Sequence, residues 1–320
     1  MIYNSLFRKE DFDETKVYIK RDDGLTGYYH PYIYYMPYKG TLESVLMDLE
    51  SIEEIGLGER DSRQKIIWGA PRIIRGVLDY KSSTNTPNSC YNAPELVLTA
   101  TQAVINIYMD PLRIPKSVRE VRDYLSSHYI LKGILDTPIK QNGDDVTFDS
   151  TSPKYSDHTV DCLLNKFKGK NLLFLVSAHG GVPAGLDVFL RYQASSRDGD
   201  SIVYPVRYST QKFEDKKPRL KETEIGYLRD VRKNRPVIIF DEDVASGTTM
   251  RGMKKFFGNG IFPEGSIFVR ANDCGEDVMK EINGFDWKSR KESPAEEDAG
   301  DYTILKPMQP SRTASWKVLR

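Results

Sequence analysis

The feature that most constrains the fold is a series of short, almost uninterrupted apolar runs in the second half of the chain. The runs are 171–177 (NLLFLVS), 202–206 (IVYPV), 236–240 (PVIIF) and 266–270 (SIFVR). Runs of this length, without regular alternation of polar residues, are typical of strands buried on both faces of a parallel sheet. Helix-compatible stretches at 157–167, 183–192 and 249–257 separate some of them. We therefore expect an α/β fold with a mostly parallel sheet flanked by helices.

The first 150 residues carry weaker patterns. Apolar residues at helical spacing predict helices at 42–52 and 94–107, and Pro115 marks the start of a third that runs to about His128. We expect residues 1–150 to form a largely helical, mixed α/β N-terminal extension of unknown role and residues 151–275 to form the α/β core. Residues 276–320 form an acidic C-terminal segment, since 276–301 contain nine acidic and four basic residues.

Composition excludes several classes of protein. Lys and Arg together number 46, as do Asp and Glu, so the formal net charge is zero, which argues against a nucleic-acid partner. No apolar run approaches the roughly 20 residues of a membrane-spanning helix, and the first ten residues lack the core of a signal peptide. Cys90, Cys162 and Cys274 lie too far apart for a disulfide framework or a zinc site. These features favour a cytoplasmic protein without a membrane partner.

The strongest indication of a functional site is the sequence VIIFDEDVASGTT at 237–249. The turn within it consists of Ala245, Ser246, Gly247, Thr248 and Thr249. The first amides of the helix that follows lack internal acceptors, and the helix dipole adds partial positive charge there. Glycine permits close backbone approach, and the hydroxyl groups add donors. The turn therefore suits a phosphate group, although it does not contain the Walker A pattern.

Acidic residues stand between the strand and the turn. Asp241, Glu242 and Asp243 follow four apolar residues directly. Acids are also common as caps of helices, which is the simpler interpretation. Three in succession exceed what capping requires. We therefore expect Asp241 and Glu242 to accept hydrogen bonds from the hydroxyls of a sugar whose phosphate lies in the turn.

Strand, acid pair and glycine-threonine turn together resemble the motif that binds 5-phosphoribosyl 1-diphosphate (PRPP) in type I phosphoribosyltransferases. The resemblance covers about residues 171–272, a third of the chain. In that family, a short loop after an earlier strand binds pyrophosphate. The corresponding residues here are Ala178, His179, Gly180 and Gly181. A long flexible loop then closes over the site, and 208–224 occupies its place. Residues 207–235 contain ten basic and five acidic residues, which suits a polyphosphate.

The resemblance implies an enzyme that moves a 5-phosphoribosyl group between pyrophosphate and a nitrogen base or related acceptor. Its substrates would be PRPP and a nucleobase or nucleoside monophosphate, and its cofactor Mg²⁺. Asp241 and Glu242 would hold the ribose hydroxyls and, through ribose or water, the metal ion. Lys212 and Lys216 would act on the diphosphate from the flexible loop. A homodimer is left open, and the sequence does not indicate the acceptor base.

The sequence departs from the family pattern at three positions. Glu242 stands where the second acid is usually Asp, and Asp243 where an apolar residue is usual. Ala245 stands where some members have an Asp that assists proton transfer. Asp243, Ala245 and the long N-terminal extension leave open a PRPP- or nucleotide-sensing regulatory protein with the same pocket and no turnover. PRPP synthesis from ribose 5-phosphate and ATP is a further alternative, although the first half of the chain shows none of that family's other motifs.

Overall fold

The structure is a computed structural model of the 320-residue chain. It describes residues 3, 5–7, 19–20, 26–27, 33–35, 38–54, 60–83, 92–128, 131, 133–141, 145–147, 151–196, 199–208, 215–244, 247–263, 267–273, 285–286 and 291–292.

The first half of the chain is mainly helical. Its elements are β1 (Ile19–Lys20), β2 (Thr26–Gly27), β3 (Ile33–Tyr35), β4 (Tyr38–Thr41), α1 (Leu42–Glu50), α2 (Arg60–Gly69), α3 (Pro71–Ser83), α4 (Ala93–Met109), α5 (Ile114–Ser127), β5 (Pro138–Gln141) and β6 (Asp145–Thr147). The short strands pair antiparallel, β1 with β2, β3 with β6 and β4 with β5. The three predicted helices are confirmed as α1, α4 and α5. The sequence did not predict α2 and α3.

Local side-chain caps explain why two of these helices begin where they do. At α1, the Thr41 hydroxyl accepts from the Ser44 amide at 3.2 Å, and the Ser44 hydroxyl accepts from the Thr41 amide at 3.3 Å. At α4, the side chain of Asn92 accepts from the Glu95 amide, and Pro94 occupies the first turn. Each cap provides acceptors for amides that have none within the helix.

The second half alternates helices with longer strands. Its elements are α6 (Pro153–Phe167), β7 (Leu173–Ala178), α7 (Val182–Ser195), β8 (Ile202–Arg207), α8 (Glu222–Arg232), β9 (Val237–Asp243), α9 (Thr248–Phe256), β10 (Ile267–Asp273), β11 (Phe285–Asp286) and β12 (Lys291–Glu292). Within the described residues, β10, β9, β7 and β8 form an all-parallel sheet in that order. The predicted α/β class and the four apolar strands are therefore confirmed. The family resemblance and the proposed division into three parts stay predictions.

The order of the strands creates a crevice between β7 and β9. The chain leaves β7 through α7 and returns as β8 on one side, whereas it leaves β9 through α9 and returns as β10 on the other. In open parallel sheets, ligands bind beyond the carboxyl ends of the strands at the point where the direction of winding reverses. Here that point lies between the loop after β7 and the turn after β9.

A continuous apolar core holds the sheet and the helices of the first half together. All six residues of β7 are buried, as a strand covered on both faces requires. Helix α7 packs closely on the sheet: a Cβ at Gly185 would lie 2.6 Å from Val176 and 3.0 Å from Phe240. The cluster of buried apolar residues includes members of α1, α3, α4 and α5 as well as β7 to β10. Among the described residues, no helix is both long and apolar enough to cross a membrane.

A buried ion pair fixes α3 against α8 and β8. Lys81 Nζ lies 2.6 Å from Glu224 Oε1, and the two side chains are 1 % and 0 % exposed. Glu224 Oε1 also accepts from the Tyr204 hydroxyl at 2.6 Å, and Lys81 donates to the Arg219 carbonyl at 3.1 Å. Because both charges have close partners, burying them is tolerable.

Candidate functional site

The acids of the motif belong to the end of a strand rather than to the turn. Strand β9 continues to Asp243, so Asp241 and Glu242 lie at its carboxyl end, both half-buried. The Asp241 carboxylate accepts from the Glu242 backbone amide at 3.1 Å. Glu242 Oε2 is buried and has no hydrogen-bond partner in the described part of the chain. A buried carboxylate oxygen of this kind can accept a hydrogen bond from a ligand hydroxyl or coordinate a metal ion.

The glycine loop after β7 packs directly against these acids. A Cβ at Gly180 would overlap the carboxylate of Glu242 and lie 2.8 Å from its Cδ. A Cβ at Gly181 would lie 2.9 Å from Asp241 Oδ1 and 2.7 Å from the carbonyl oxygen of Ser177. The backbone at Gly181, with φ of −66°, would accept any residue. Close approach is therefore what requires glycine here, and the structure joins the two predicted halves of the site.

The phosphate turn is described in part. Gly247 is buried and has a φ of 70°, a left-handed conformation that favours glycine, and it caps the N-terminus of α9. Its carbonyl accepts from the Arg251 amide at 2.9 Å, so intrahelical bonding begins there. Thr248 is exposed and Thr249 is half-buried. Ala245 and Ser246 lie outside the described residues, so their predicted phosphate contacts stay predictions.

His179 belongs to a charged cluster that the sequence did not reveal. Its Nε2 lies 3.4 Å from Asp79 Oδ1, which also lies 2.6 Å from Arg207 Nη1. Arg75 Nε lies 3.6 Å from the other oxygen of Asp79. Asp79 and Arg75 belong to α3, which had not been predicted, whereas Arg207 ends β8. Of the three partners of His179 in this cluster, only Arg207 could have been placed from the sequence, since it comes directly after an apolar run.

Burial and neighbouring charges give the cluster one anion and a neutral imidazole. Burial lowers the pKa of His179, and although Asp79 opposes this effect, the net direction is downward. Burial raises the pKa of Asp79, but His179 and the two guanidinium groups outweigh it, and the pKa is lowered. Near neutral pH, Asp79 is therefore ionised and His179 uncharged. The guanidinium groups of Arg75 and Arg207 remain charged.

The flexible loop expected at 208–224 is anchored over much of its length. Tyr208, Asp215 and Glu224 are buried, and the Arg219 amide donates to the Arg207 carbonyl at 2.9 Å. The interval also contains the first residues of α8, which had not been predicted. These contacts hold residues 215–224 in place, and closure of the segment over the site stays a prediction. Lys216 is exposed to solvent, and Lys212 lies outside the described residues. Their catalytic roles stay predictions.

The acids would suit a magnesium ion that is coordinated jointly by the protein and a ligand. They suit less well a magnesium ion that is coordinated by protein side chains alone. Among the described residues, no three His, Cys, Asp or Glu side chains come together as a metal-binding group. Asp241 and the buried oxygen of Glu242 offer hard oxygen ligands. Mg²⁺ commonly binds through one or two carboxylates together with substrate phosphates and water. The residues present therefore fit Mg²⁺ accompanied by a diphosphate.

A separate groove of about 1130 Å³ lies along the edge strand β8, between α4, α7 and α8. It includes none of the predicted site residues. Leu98, Ile105, Phe189 and Tyr227 contribute to its lining. The crevice between β7 and β9 remains the better candidate, because it brings together paired acids, close-packed glycines and a helix N-terminus.

Comparisons with known protein families, with curated proteins and with solved structures give no match.

Proposed function

We propose that the crevice between β7 and β9 binds PRPP and that the protein is a PRPP-dependent phosphoribosyltransferase. The observation that carries the proposal is the direct packing of Gly180 and Gly181 on Glu242 and Asp241 at the reversal point of the sheet. The start of α9 at Gly247 follows the same strand. Sites for diphosphate, ribose and phosphate would then be neighbours, in the order in which PRPP presents these groups.

Each part of the site has a distinct role in the proposal. The amides that begin α9, with the hydroxyls of Thr248 and Thr249, hold the 5′-phosphate. Asp241 and Glu242 accept hydrogen bonds from the ribose hydroxyls. The loop from Ala178 to Gly181 holds the diphosphate through its backbone amides. Mg²⁺, when bound, neutralises charge on the diphosphate.

The proposed reaction is a displacement at C1 of the ribose. The bond between C1 and the diphosphate oxygen breaks, and its electron pair leaves with pyrophosphate. A bond forms between C1 and a nitrogen of the acceptor base, whose proton passes to solvent. Negative charge grows on the leaving group, so donors fixed in advance at that position lower the barrier. Holding base and ribose together contributes further.

Ligands that carry a ribose and a 5′-phosphate are expected to stabilise the fold. A ligand at 100 times its dissociation constant adds about 2.7 kcal/mol to the free energy of unfolding. Thermal denaturation with PRPP and Mg²⁺, ribose 5-phosphate, AMP, GMP or UMP measures the effect. Glucose 6-phosphate is the control, since it has a phosphate but no ribose. Absence of a shift with all five ligands would contradict the proposal.

Asp241→Asn is expected to weaken ribose binding while preserving the phosphate site. Losing a hydrogen bond to a charged acceptor costs about 1.5 to 3 kcal/mol. Titration calorimetry should show that loss for ribose 5-phosphate and little change for inorganic phosphate. The control is Asp161→Asn, which makes the same change on the exposed face of α6. Unchanged affinity for ribose 5-phosphate would mean that Asp241 merely caps the strand-to-helix turn.

Turnover distinguishes the enzyme from a sensor with the same pocket. Release of pyrophosphate from PRPP should require a base, so pooled purine and pyrimidine bases are tested together and then singly. Tight binding of PRPP without release of pyrophosphate from any pool would favour the regulatory alternative. This alternative is considered because residue 245 is an alanine and so cannot transfer a proton to the base.

A further inference from the structure

We propose that helix α3, which precedes the motif-bearing core in the chain, completes the diphosphate site, with Asp79 positioning Arg207 and His179 at the mouth of the crevice. This inference rests on the proposed function and deepens it. It assigns a role to α3, which lies outside residues 171–272, the part of the chain that resembles phosphoribosyltransferases.

Contacts from three elements meet at the Asp79 carboxylate. Arg207 comes from the end of β8, His179 from the loop after β7, and Arg75 from the preceding turn of α3. Because Asp79 contacts both Arg207 at the end of β8 and His179 after the end of β7, it holds these two side chains close to each other. Asp79 and Arg207 are 19 % and 15 % exposed, so the pair is sheltered but remains open to a ligand. Arg75, at 6 %, is the more deeply placed anchor.

The cluster lies next to the proposed ribose site along the backbone. Arg207 pairs in register with Ala178, and His179 is the next residue. Gly180 follows, and its Cα lies against the carboxylate of Glu242. His179 of the Asp79 cluster and Gly180, which packs against Glu242, are therefore consecutive residues. In PRPP the diphosphate is attached to C1 and the ribose hydroxyls to C2 and C3, so their binding groups must be close neighbours.

The chemistry of the cluster suits a diphosphate. As a set, the four side chains contain two permanently charged guanidinium groups and one carboxylate. A guanidinium group offers several N–H donors in a plane and pairs well with phosphate oxygens. Asp79 itself is an anion and would repel the ligand, so we assign it a positioning role and assign ligand contact to Arg207.

Helix α3 is also held rigidly enough for this role. Lys81, two residues beyond Asp79, forms the buried ion pair with Glu224 and donates to the Arg219 carbonyl. The Arg219 amide in turn donates to the Arg207 carbonyl. These contacts tie α3 to residue 219 and residue 219 to the end of β8, and so they fix the position of Asp79 relative to Arg207. A positioned carboxylate restricts the arginine side chain in advance, which lowers the entropy lost when the ligand binds.

Titration calorimetry of the full chain with two probes tests the inference. The probes are pyrophosphate with Mg²⁺ and ribose 5-phosphate, and the variants are Asp79→Asn, Arg207→Met and Arg207→Lys. We expect Asp79→Asn and Arg207→Met to weaken pyrophosphate binding about 10- to 100-fold and to change ribose 5-phosphate binding by less than about threefold. Arg207→Lys should recover part of the loss. Asp187→Asn is the control, because Asp187 is a fully buried carboxylate that contacts Tyr3, Ser5 and Arg191 instead.

The outcomes separate the two claims. Equal weakening of both probes, or of neither, would overturn the inference while leaving the proposed function standing. The wild type could bind pyrophosphate but not ribose 5-phosphate, with the variants weakening pyrophosphate binding as expected. In that case the diphosphate site is supported and the proposed function is contradicted. If the wild type binds neither probe, both are overturned. Should Asp79→Asn fail to fold, the two Arg207 variants decide the matter.

Discussion

Gly180→Ala is expected to lower the affinity for ribose 5-phosphate about 10- to 100-fold while changing the free energy of unfolding by less than about 1 kcal/mol. The added Cβ would overlap the carboxylate of Glu242. That carboxylate is the end of a flexible side chain and can rotate away, so the fold is spared. Its departure removes an acceptor from the ribose. Calorimetric titration and urea denaturation measure the two effects separately.

Two further glycines serve as comparisons for this variant. Gly181→Ala places a Cβ 2.7 Å from the carbonyl oxygen of Ser177, which belongs to the rigid strand β7. It should therefore cost about 1 to 3 kcal/mol of stability as well as affinity. Gly226→Ala on α8 meets no atom within 4 Å and should stabilise by about 0.4 to 1 kcal/mol with unchanged binding. Normal ribose 5-phosphate binding by Gly180→Ala would show that Glu242 does not contact the ribose.

Glu224→Leu is expected to destabilise the protein by about 3 to 5 kcal/mol, because it leaves the charge of Lys81 buried without its closest partner. The two groups lie 2.6 Å apart and are almost fully inaccessible. The Tyr204 hydroxyl loses its acceptor in the same variant. Replacing both charges, with Lys81→Met added, should recover at least half of the loss, since no uncompensated charge then remains. Urea denaturation at neutral pH provides the free energies.

An exposed ion pair provides the matched control. Lys116 and Glu120 on α5 lie 3.7 Å apart and are 72 % and 57 % exposed. Glu120→Ala should change the free energy of unfolding by less than about 0.5 kcal/mol. A cost of less than about 1 kcal/mol for Glu224→Leu would contradict the account of how α3 is held against α8.

The core of the fold could be predicted because buried parallel strands leave a direct trace in the sequence. Strands β7, β9 and β10 each begin with a continuous apolar run, and the helix after β9 begins at a glycine turn. Because both faces of each strand are covered, these runs can be recognised without an alternation of polar and apolar residues. The resemblance assigned Asp241, Glu242, Gly180 and Gly181 to one site, and they come together in the structure because parallel strands end at one edge of the sheet.

The helices α3 and α8 were not predicted, and both bury charged residues. In α3, Ile73, Ile74, Val77 and Leu78 follow a helical spacing that the sequence analysis did not use, and Arg72, Arg75 and Lys81 are buried together with them. In α8, the buried residues are Glu224 and Leu228, and the sequence resembles a solvated loop. Partners 143 residues apart, such as Lys81 and Glu224, leave no local pattern. The Asp79 cluster was missed for the same reason.

A crystal structure with ribose 5-phosphate and Mg²⁺ tests the central claim most directly. We predict that the phosphate lies at the N-terminus of α9, within hydrogen-bond distance of the amides that follow Gly247. The ribose hydroxyls should contact Asp241 and Glu242, and C1 should face Gly180. A ligand bound elsewhere, such as in the groove along β8, or a crevice that remains empty at saturating concentrations of the ligand, would contradict the account.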